Sequence, residues 1–224
     1  KMVSIESLVR WNSKKLGYVY PSSFISIAEE TNMIISLGEW ILRKACSDFQ
    51  KLIDLGFELN HISINISLIQ LQDENFFSIL NSVIDETKID PKKIELEITE
   101  SFIATDSKKA LEILSKIREK GISLAIDDFG TGYSSLSYLK KLPITRLKID
   151  KSFVDDIPNS QESIAIAKAI ISLAKSFGIA ITAEGVENKE QLDFLINQNC
   201  DEIQGYYFSK PITFEELKSF DLNC

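Results

Sequence analysis

The sequence predicts an α/β fold, and more narrowly a (β/α)8 barrel, from two patterns along the chain. From residue 60 onward, short apolar stretches alternate with longer amphipathic stretches, which indicates parallel strands separated by helices. Polar side chains stand at or next to the ends of these predicted strands: Asn65, Glu97, Asp127, Lys148, Glu184 and Gln204. In a barrel all strand ends converge on one catalytic face. A doubly wound open sheet is the alternative, but it gathers its site at one or two strand ends.

The individual elements follow from hydrophobic periodicity. Predicted strands cover residues 4–10, 61–66, 93–98, 122–126, 145–149, 179–183 and 201–204. Predicted helices cover residues 21–31, 37–55, 73–86, 106–120, 134–141, 160–177, 189–198 and 214–220. Gly121 and Gly178 follow two of these helices, at the position where glycine commonly ends a helix. Since no linker or low-complexity segment divides the chain, residues 1–224 are predicted to form a single domain.

Composition excludes several classes of function. The formal net charge of −8 disfavours binding to a nucleic-acid polymer, which depends on clustered Lys and Arg. No apolar run approaches the roughly 20 residues that span a bilayer. The three cysteines are odd in number and widely spaced, which favours a reducing compartment, and Cys46 is expected in the core. The sequence therefore predicts a cytoplasmic location. A parent protein that is anchored in a membrane, with this part of it in the cytoplasm, agrees with that prediction.

The most informative segment joins Asp127 and Asp128 to a glycine-rich turn. An apolar strand ends there in two adjacent carboxylates, whose charges repel each other. One or two divalent cations are the usual reason for such a pair. The alternative is a polar strand-to-helix loop in which Asp128 caps the helix, and this segment alone does not separate the two.

Seven blocks of sequence stand in a fixed order along the chain. They are ESLVRW at 6–11, INIS at 64–67, EITES at 97–101, DDFGTGYSS at 127–135, LKID at 147–150, AEGVE at 183–187 and QGY at 204–206. In this order the chain resembles the EAL family of cyclic di-GMP phosphodiesterases, from about residue 3 to residue 211. One block would be weak, but the ordered set is highly specific.

The resemblance implies two divalent metal ions, Mg²⁺ or Mn²⁺. The first ion would be bound by four side chains: Glu6, Asn65, Glu97 and Asp127. Asp127 would also bridge to a second ion held by Asp128, and Glu184 would complete that ion's ligands or hold the attacking water. Hard cations prefer oxygen ligands, which agrees with a set that contains no His or Cys. The sole histidine, His61, is therefore expected to be structural or exposed.

The remaining family positions have roles in substrate binding and loop order. The resemblance places Lys148 against the attacking water or a non-bridging phosphate oxygen, so Lys148 and Glu184 are the predicted catalytic residues. The substrate would be bound by Arg10, Leu8 and Gln204. Glu100 would brace the loop after Asp128, and Glu187 would anchor a second loop.

The function implied is hydrolysis of cyclic di-GMP to the linear dinucleotide pGpG, which controls the level of a bacterial second messenger. The alternative is a non-catalytic receptor that binds cyclic di-GMP. Receptors usually lack a metal ligand or the lysine, and none is missing here, which favours the enzyme. An unrelated metal-dependent barrel, such as an aldolase, is a third possibility that the full motif set disfavours. The resemblance also implies a homodimer and, in the parent protein, attached sensory or GGDEF-type domains.

The sequence departs from the family pattern at two places. Ser7 stands where the family signature has alanine, a small change beside the intact Glu6. The chain also begins inside the turn that leads to Glu6, so we expect a barrel that lacks its first strand. We expect the fragment to be less active or less stable than a chain extended through that strand, because the missing strand would leave two sheet edges unpaired.

Overall fold

The computed structural model describes residues 1–100, 107–131 and 139–220. The chain divides into two units, one formed by Lys1–Leu96 with the chain end from Lys218, the other by Glu97–Leu217. Strand β5 (Ile94–Thr99) carries the boundary between them. Most of the predicted helix 134–141 lies outside the described residues.

The first unit pairs two parallel strands, β1 (Ser4–Ser7) and β4 (His61–Asn65), with Glu6 opposite Ser63. Between them lie a hairpin of β2 (Trp11–Ser13) and β3 (Gly17–Val19), then helices α1 (Pro21–Glu30) and α2 (Ile34–Asp54). Helices α3 (Leu68–Gln72) and α4 (Phe76–Thr87) follow β4. The apolar faces of these helices and strands supply the buried side chains of this unit.

The first unit differs from the sequence prediction in two segments. The predicted strand 4–10 ends at Ser7, and residues 11–19 form a hairpin that was not predicted. The predicted helix 73–86 corresponds to α4, which begins at Phe76, and α3 is an additional helix before it that was not predicted and that the capping box of Ser67 and Gln70 starts.

The second unit repeats strand and helix. After β5 come α5 (Ser107–Glu119), β6 (Ser123–Phe129), β7 (Arg146–Ile149), α6 (Gln161–Phe177) and β8 (Ala180–Ala183). Helix α7 (Lys189–Asn197), the short strand β9 (Glu202–Ile203) and α8 (Phe214–Lys218) complete the described chain, with α8 beginning in this unit. Strands β6, β7, β8 and β9 pair in that order, all parallel.

Local sequence signals account for the ends of α6. Ser160 accepts a hydrogen bond from the backbone N–H of Ser163 at its start, and Gly178 ends it in the left-handed conformation, with φ of 67°. Parallel strands separated by helices are the (β/α)8-type α/β class that the sequence predicts. No helix within the described ranges combines the length and apolarity that a bilayer crossing requires.

Candidate active site

The second unit buries a lysine among carboxylates. Lys148, the third residue of β7, is only 2% exposed. Its ammonium Nζ lies 2.8 Å from Glu97 Oε2, 3.2 Å from Asp127 Oδ1 and 2.5 Å from Glu184 Oε1. Neighbouring strands place these groups, since Glu97 lies in β5, Asp127 in β6 and Glu184 directly after β8. The four residues are hereafter the Lys148 cluster.

Burying a charge costs free energy unless opposite charges and hydrogen bonds surround it. The three carboxylates compensate the ammonium of Lys148 and still carry more negative charge than it neutralises. A carboxylate has two oxygens and several lone pairs, so it can contact an ammonium and a second cation at the same time. An excess of negative charge built from oxygen ligands is the chemistry that attracts a hard divalent cation.

A backbone irregularity explains how Asp127 and Asp128 meet one site. The pairing of β6 with β7 shifts register between Ile126 and Phe129, so the alternation of side chains is broken at the two aspartates. Asp128 has φ of 53°, a left-handed conformation that Asp tolerates better than most residues. Partial burial, followed by the charges of Asp127 and Asp150, raises the pKa of the Asp128 carboxyl above its ordinary value.

Three carboxylates of this unit form a candidate metal centre. Asp127, Asp128 and Glu184 each bring one oxygen within 4.8 Å of the others. These are the side chains that the resemblance described above implies for the second ion. The donor set consists of carboxylate oxygens, so the residues present fit Mg²⁺ or Mn²⁺.

The first unit holds two further predicted ligands next to each other. Glu6 is the third residue of β1 and Asn65 the last of β4. The amide Nδ2 of Asn65 donates to Oε1 of Glu6 at 2.8 Å. Parallel pairing of β1 and β4 brings these side chains together within the unit.

The predicted substrate-binding residues are placed as follows. Leu8 and Arg10 lie between β1 and β2 in the first unit, both exposed, and Arg10 Nη1 donates to the carbonyl of Val9 at 2.9 Å. Gln204 follows β9 in the second unit, where its backbone N–H donates to the carbonyl of Ala183. The structure thus fixes the backbone of Gln204 beside the end of β8.

The two predicted loop residues each contact a loop of the second unit. Glu100 is buried, and its Oε2 accepts a hydrogen bond from the backbone N–H of Gly130 at 3.2 Å, two residues after Asp128. Glu187 forms an ion pair with Lys151.

His61, expected to be structural or exposed, is buried in the first unit. Its Nε2 lies 3.2 Å from Oε1 of Glu95, which also accepts from Ser63. Cys46 is fully buried in α2, as predicted.

Sequence reasoning missed the residues that hold the strand-end loops, above all Gln191. Asp150 caps the turn after β7 by accepting from the backbone N–H of Ser152 at 3.1 Å. The Asn188-x-x-Gln191 spacing is a capping-box signal that marks the start of α7 in the sequence.

Comparison with known proteins identifies the fold and the family. The family model described as EAL domain matches residues 1–211. The chain belongs to the EAL domain family. Its (β/α)8-type class is confirmed by a solved structure, the MucR phosphodiesterase in complex with c-di-GMP, which matches with a TM-score of 0.90 and 35% identity over 95% of this chain and 86% of that one.

Curated relatives extend the similarity of this EAL domain. The cyclic di-GMP phosphodiesterase NbdA of Pseudomonas aeruginosa is 39% identical over 216 residues, 96% of this chain and 28% of NbdA. The bifunctional diguanylate cyclase/cyclic di-GMP phosphodiesterase MucR of the same organism is 35% identical over 96% of this chain and 32% of MucR. The chain therefore spans about a third or less of the length of these relatives.

Proposed function

We propose that this EAL domain is a metal-dependent phosphodiesterase that hydrolyses cyclic di-GMP to linear pGpG. The observation that carries the proposal is the Lys148 cluster together with the carboxylate triad of Asp127, Asp128 and Glu184. Fixed negative oxygens beside a buried ammonium suit a reaction in which a water attacks a charged phosphodiester.

Residues of the second unit have separate roles in the proposed reaction. Asp127, Asp128 and Glu184 would hold a divalent ion, which when bound lowers the pKa of a water and neutralises charge on phosphate oxygens. Glu184 orients the attacking water, and the ammonium of Lys148 donates to that water or to a non-bridging phosphate oxygen. The water oxygen bonds to phosphorus, the bond to the sugar 3′-oxygen breaks, and one proton passes from the water to that leaving oxygen.

The remaining site residues are proposed from the family resemblance. Their roles, carried over residue by residue, are first-ion binding by Glu6, Asn65, Glu97 and Asp127, substrate binding by Leu8, Arg10 and Gln204, and loop support by Glu100 and Glu187. The hydrogen bond between Asn65 and Glu6 supports a shared role for those two, and the bond from Gly130 to Glu100 supports the role of Glu100.

The partners are proposed on the same basis. Relatives include the bifunctional MucR and the oxygen sensor protein DosP of Escherichia coli, which favours a parent protein with GGDEF-type or sensory domains and a cytoplasmic site of action. We also propose a homodimer that depends on the segment after Asp128. Sedimentation of wild-type and Glu100→Ala protein tests this, because a variant that stays dimeric and fully active would contradict it.

The decisive experiment for the function measures products. Purified protein is incubated with cyclic di-GMP and Mg²⁺, Mn²⁺ or a chelator, and nucleotides are separated by anion exchange. We expect pGpG with either metal and none with the chelator. Ca²⁺ should support the reaction poorly, since it accepts looser and higher coordination. Binding of cyclic di-GMP without turnover would instead assign the receptor function.

A further inference from the structure

Gln191 is a buried polar residue that the mechanism above does not use. It lies in the first turn of α7 and is 2% exposed. Glutamine is mostly exposed in folded proteins, and a buried carboxamide is retained where its hydrogen bonds are satisfied. Its partners therefore show what it does.

The carboxamide of Gln191 uses its full hydrogen-bonding capacity. Its Oε1 accepts from the backbone N–H groups of Glu187 at 2.8 Å and Asn188 at 3.2 Å. Its Nε2 donates to the carbonyls of Val154 at 3.1 Å and Asp155 at 3.2 Å. Two acceptor sites and two hydrogens are what a carboxamide offers. These four bonds are hereafter the Gln191 bridge.

The bridge joins the two chain segments that carry Lys148 and Glu184. Glu187 and Asn188 lie in the loop that begins at Glu184, and Val154 and Asp155 lie in the turn that follows β7. In an ordinary capping box the side chain of Gln191 would only accept from the backbone N–H of the N-cap residue Asn188. The bonds from Nε2 to a different segment go beyond helix capping, and they fix one loop against the other.

Other ties between these segments are weaker or shorter in range. The backbone N–H of Glu184 donates to the carbonyl of Ile149 at 3.2 Å. The ammonium of Lys151 pairs with Glu187, but both side chains are about half exposed, and exposed ion pairs add little stability. Val186 of the same loop is bonded through its backbone to Gln204 and Tyr207, on the side of β9. The buried bridge is therefore the main tie between the loop and the turn after β7 beyond Glu184.

We propose that Gln191 is a positioning residue for the hydrolysis. By fixing the loop of Glu184 to the turn after β7, the Gln191 bridge sets the 2.5 Å approach of Glu184 Oε1 to Lys148 Nζ. The same restraint holds Glu184 near Asp127 and Asp128. This inference rests on the proposed function for its effect on turnover, but not for its effect on metal binding.

The test compares two substitutions at the start of α7. Gln191→Glu keeps the side-chain length and one acceptor oxygen, but it replaces the donating Nε2 by an oxygen that faces two carbonyls. Asn188→Ala removes the cap from Asn188 Oδ1 to the backbone N–H of Gln191, at 2.9 Å, and leaves the four bridge bonds in place. Both substitutions should lower stability, Asn188→Ala by removing the cap and Gln191→Glu by setting an oxygen against two carbonyls, so Asn188→Ala controls for a loss of stability alone. Gln191→Met, which removes the polar atoms, replaces Gln191→Glu if that variant does not fold.

Three quantities are measured: kcat, KM for cyclic di-GMP, and the Kd for Mn²⁺ from the electron paramagnetic resonance signal of the free ion. A misplacement of about 1 Å costs about a hundredfold in rate. We expect Gln191→Glu to lower kcat about ten- to hundredfold, to leave KM within threefold, and to raise the Mn²⁺ Kd at least fivefold. The added negative charge alone would tighten cation binding, so a rise in Kd reports displacement of ligands. Asn188→Ala should change none of the three by more than twofold.

Each other outcome is also informative. A Gln191→Glu protein with wild-type kcat and Kd overturns the inference, and so does an Asn188→Ala protein that loses as much kcat as Gln191→Glu. Wild-type protein that binds Mn²⁺ but releases no pGpG refutes the proposed function, and the Mn²⁺ Kd of the variants then decides the inference alone. Wild-type protein that binds no Mn²⁺ overturns both.

Discussion

Replacing Lys148 by methionine tests the electrostatics of the site most sharply. The substitution keeps a long side chain but removes the ammonium that Glu97, Asp127 and Glu184 surround. Because Lys148 is only 2% exposed, water cannot reach the three carboxylates to solvate them in place of the lost ammonium. Breaking a buried ion pair from one side costs about 3–5 kcal/mol, which sets the expected loss of unfolding free energy without metal.

Divalent metal should reverse much of that loss. The variant keeps three carboxylates without the competing ammonium, so it should bind Mn²⁺ more tightly than wild type does. A ligand at a hundred times its Kd stabilises the folded state by about 2.7 kcal/mol. The kcat should nevertheless fall by about a hundred- to a thousandfold. This is the usual loss when an enzyme lacks one hydrogen-bond donor that stabilises the negative charge of the transition state.

The assay is urea unfolding with and without Mn²⁺, combined with kcat. Lys168→Met, the same substitution on the exposed face of α6, is the matched control and should change neither quantity. The reasoning is refuted if Lys148→Met is as stable as wild type without metal, or if Mn²⁺ stabilises it less than it stabilises wild type.

The remaining predictions test separate parts of the structure. Asp127→Asn should cost at least a hundredfold in kcat and weaken Mn²⁺ binding, whereas Ser7→Ala should stay within threefold, and equal effects would refute the metal assignment. Burial raises the pKa of the Cys46 thiol to about 12, so iodoacetamide at pH 8.5 should label Cys46 only after unfolding, as peptide mass spectrometry would detect. Between pH 9 and 12 the folded protein keeps the thiol proton, whereas the unfolded chain loses it, so the free energy of unfolding of wild type should fall relative to that of Cys46→Ala as the pH rises from about 9 toward 12. A rise in the free energy of unfolding of wild type relative to Cys46→Ala over that interval would contradict this prediction. Gly185→Ala should lower the melting temperature and kcat, because Gly185 has φ of 71° and an added Cβ would lie 2.3 Å from Lys151 Cγ, and Gly185→Ala with wild-type values would show that the loop relaxes freely.

The parts of the fold and site that depend on local pattern were predictable from the sequence. The positions of Asn65, Lys148 and Glu184 at or beside strand ends follow from apolar runs that stop at a polar residue, whereas Glu97 lies two residues before the end of β5. Residues that are buried in a strand or helix are apolar at regular intervals along the chain, so these runs can be recognised in the sequence. The hairpin of residues 11–19 was missed because its two short strands expose Trp11 and Tyr18 and so lack an alternating buried face.

Features that depend on tertiary pairing were not predictable. The register shift at Asp127 and Asp128 arises from pairing with β7, and no local signal specifies it. Gln191 illustrates both cases. Its capping box can be recognised from the spacing of Asn188 and Gln191. Its hydrogen bonds to Val154 and Asp155 cannot, because these residues are 37 and 36 positions away in the sequence.

The central claim is that a water attacks phosphorus at a metal site built on the Lys148 cluster. The most direct measurement is a reaction in water enriched in oxygen-18, with mass spectrometry of the nucleotide product. Our account predicts one labelled oxygen in the terminal 5′-phosphate of pGpG when Mg²⁺ or Mn²⁺ is present, and no product with a chelator. Wild-type protein that binds cyclic di-GMP with metal and returns it intact and unlabelled would contradict it.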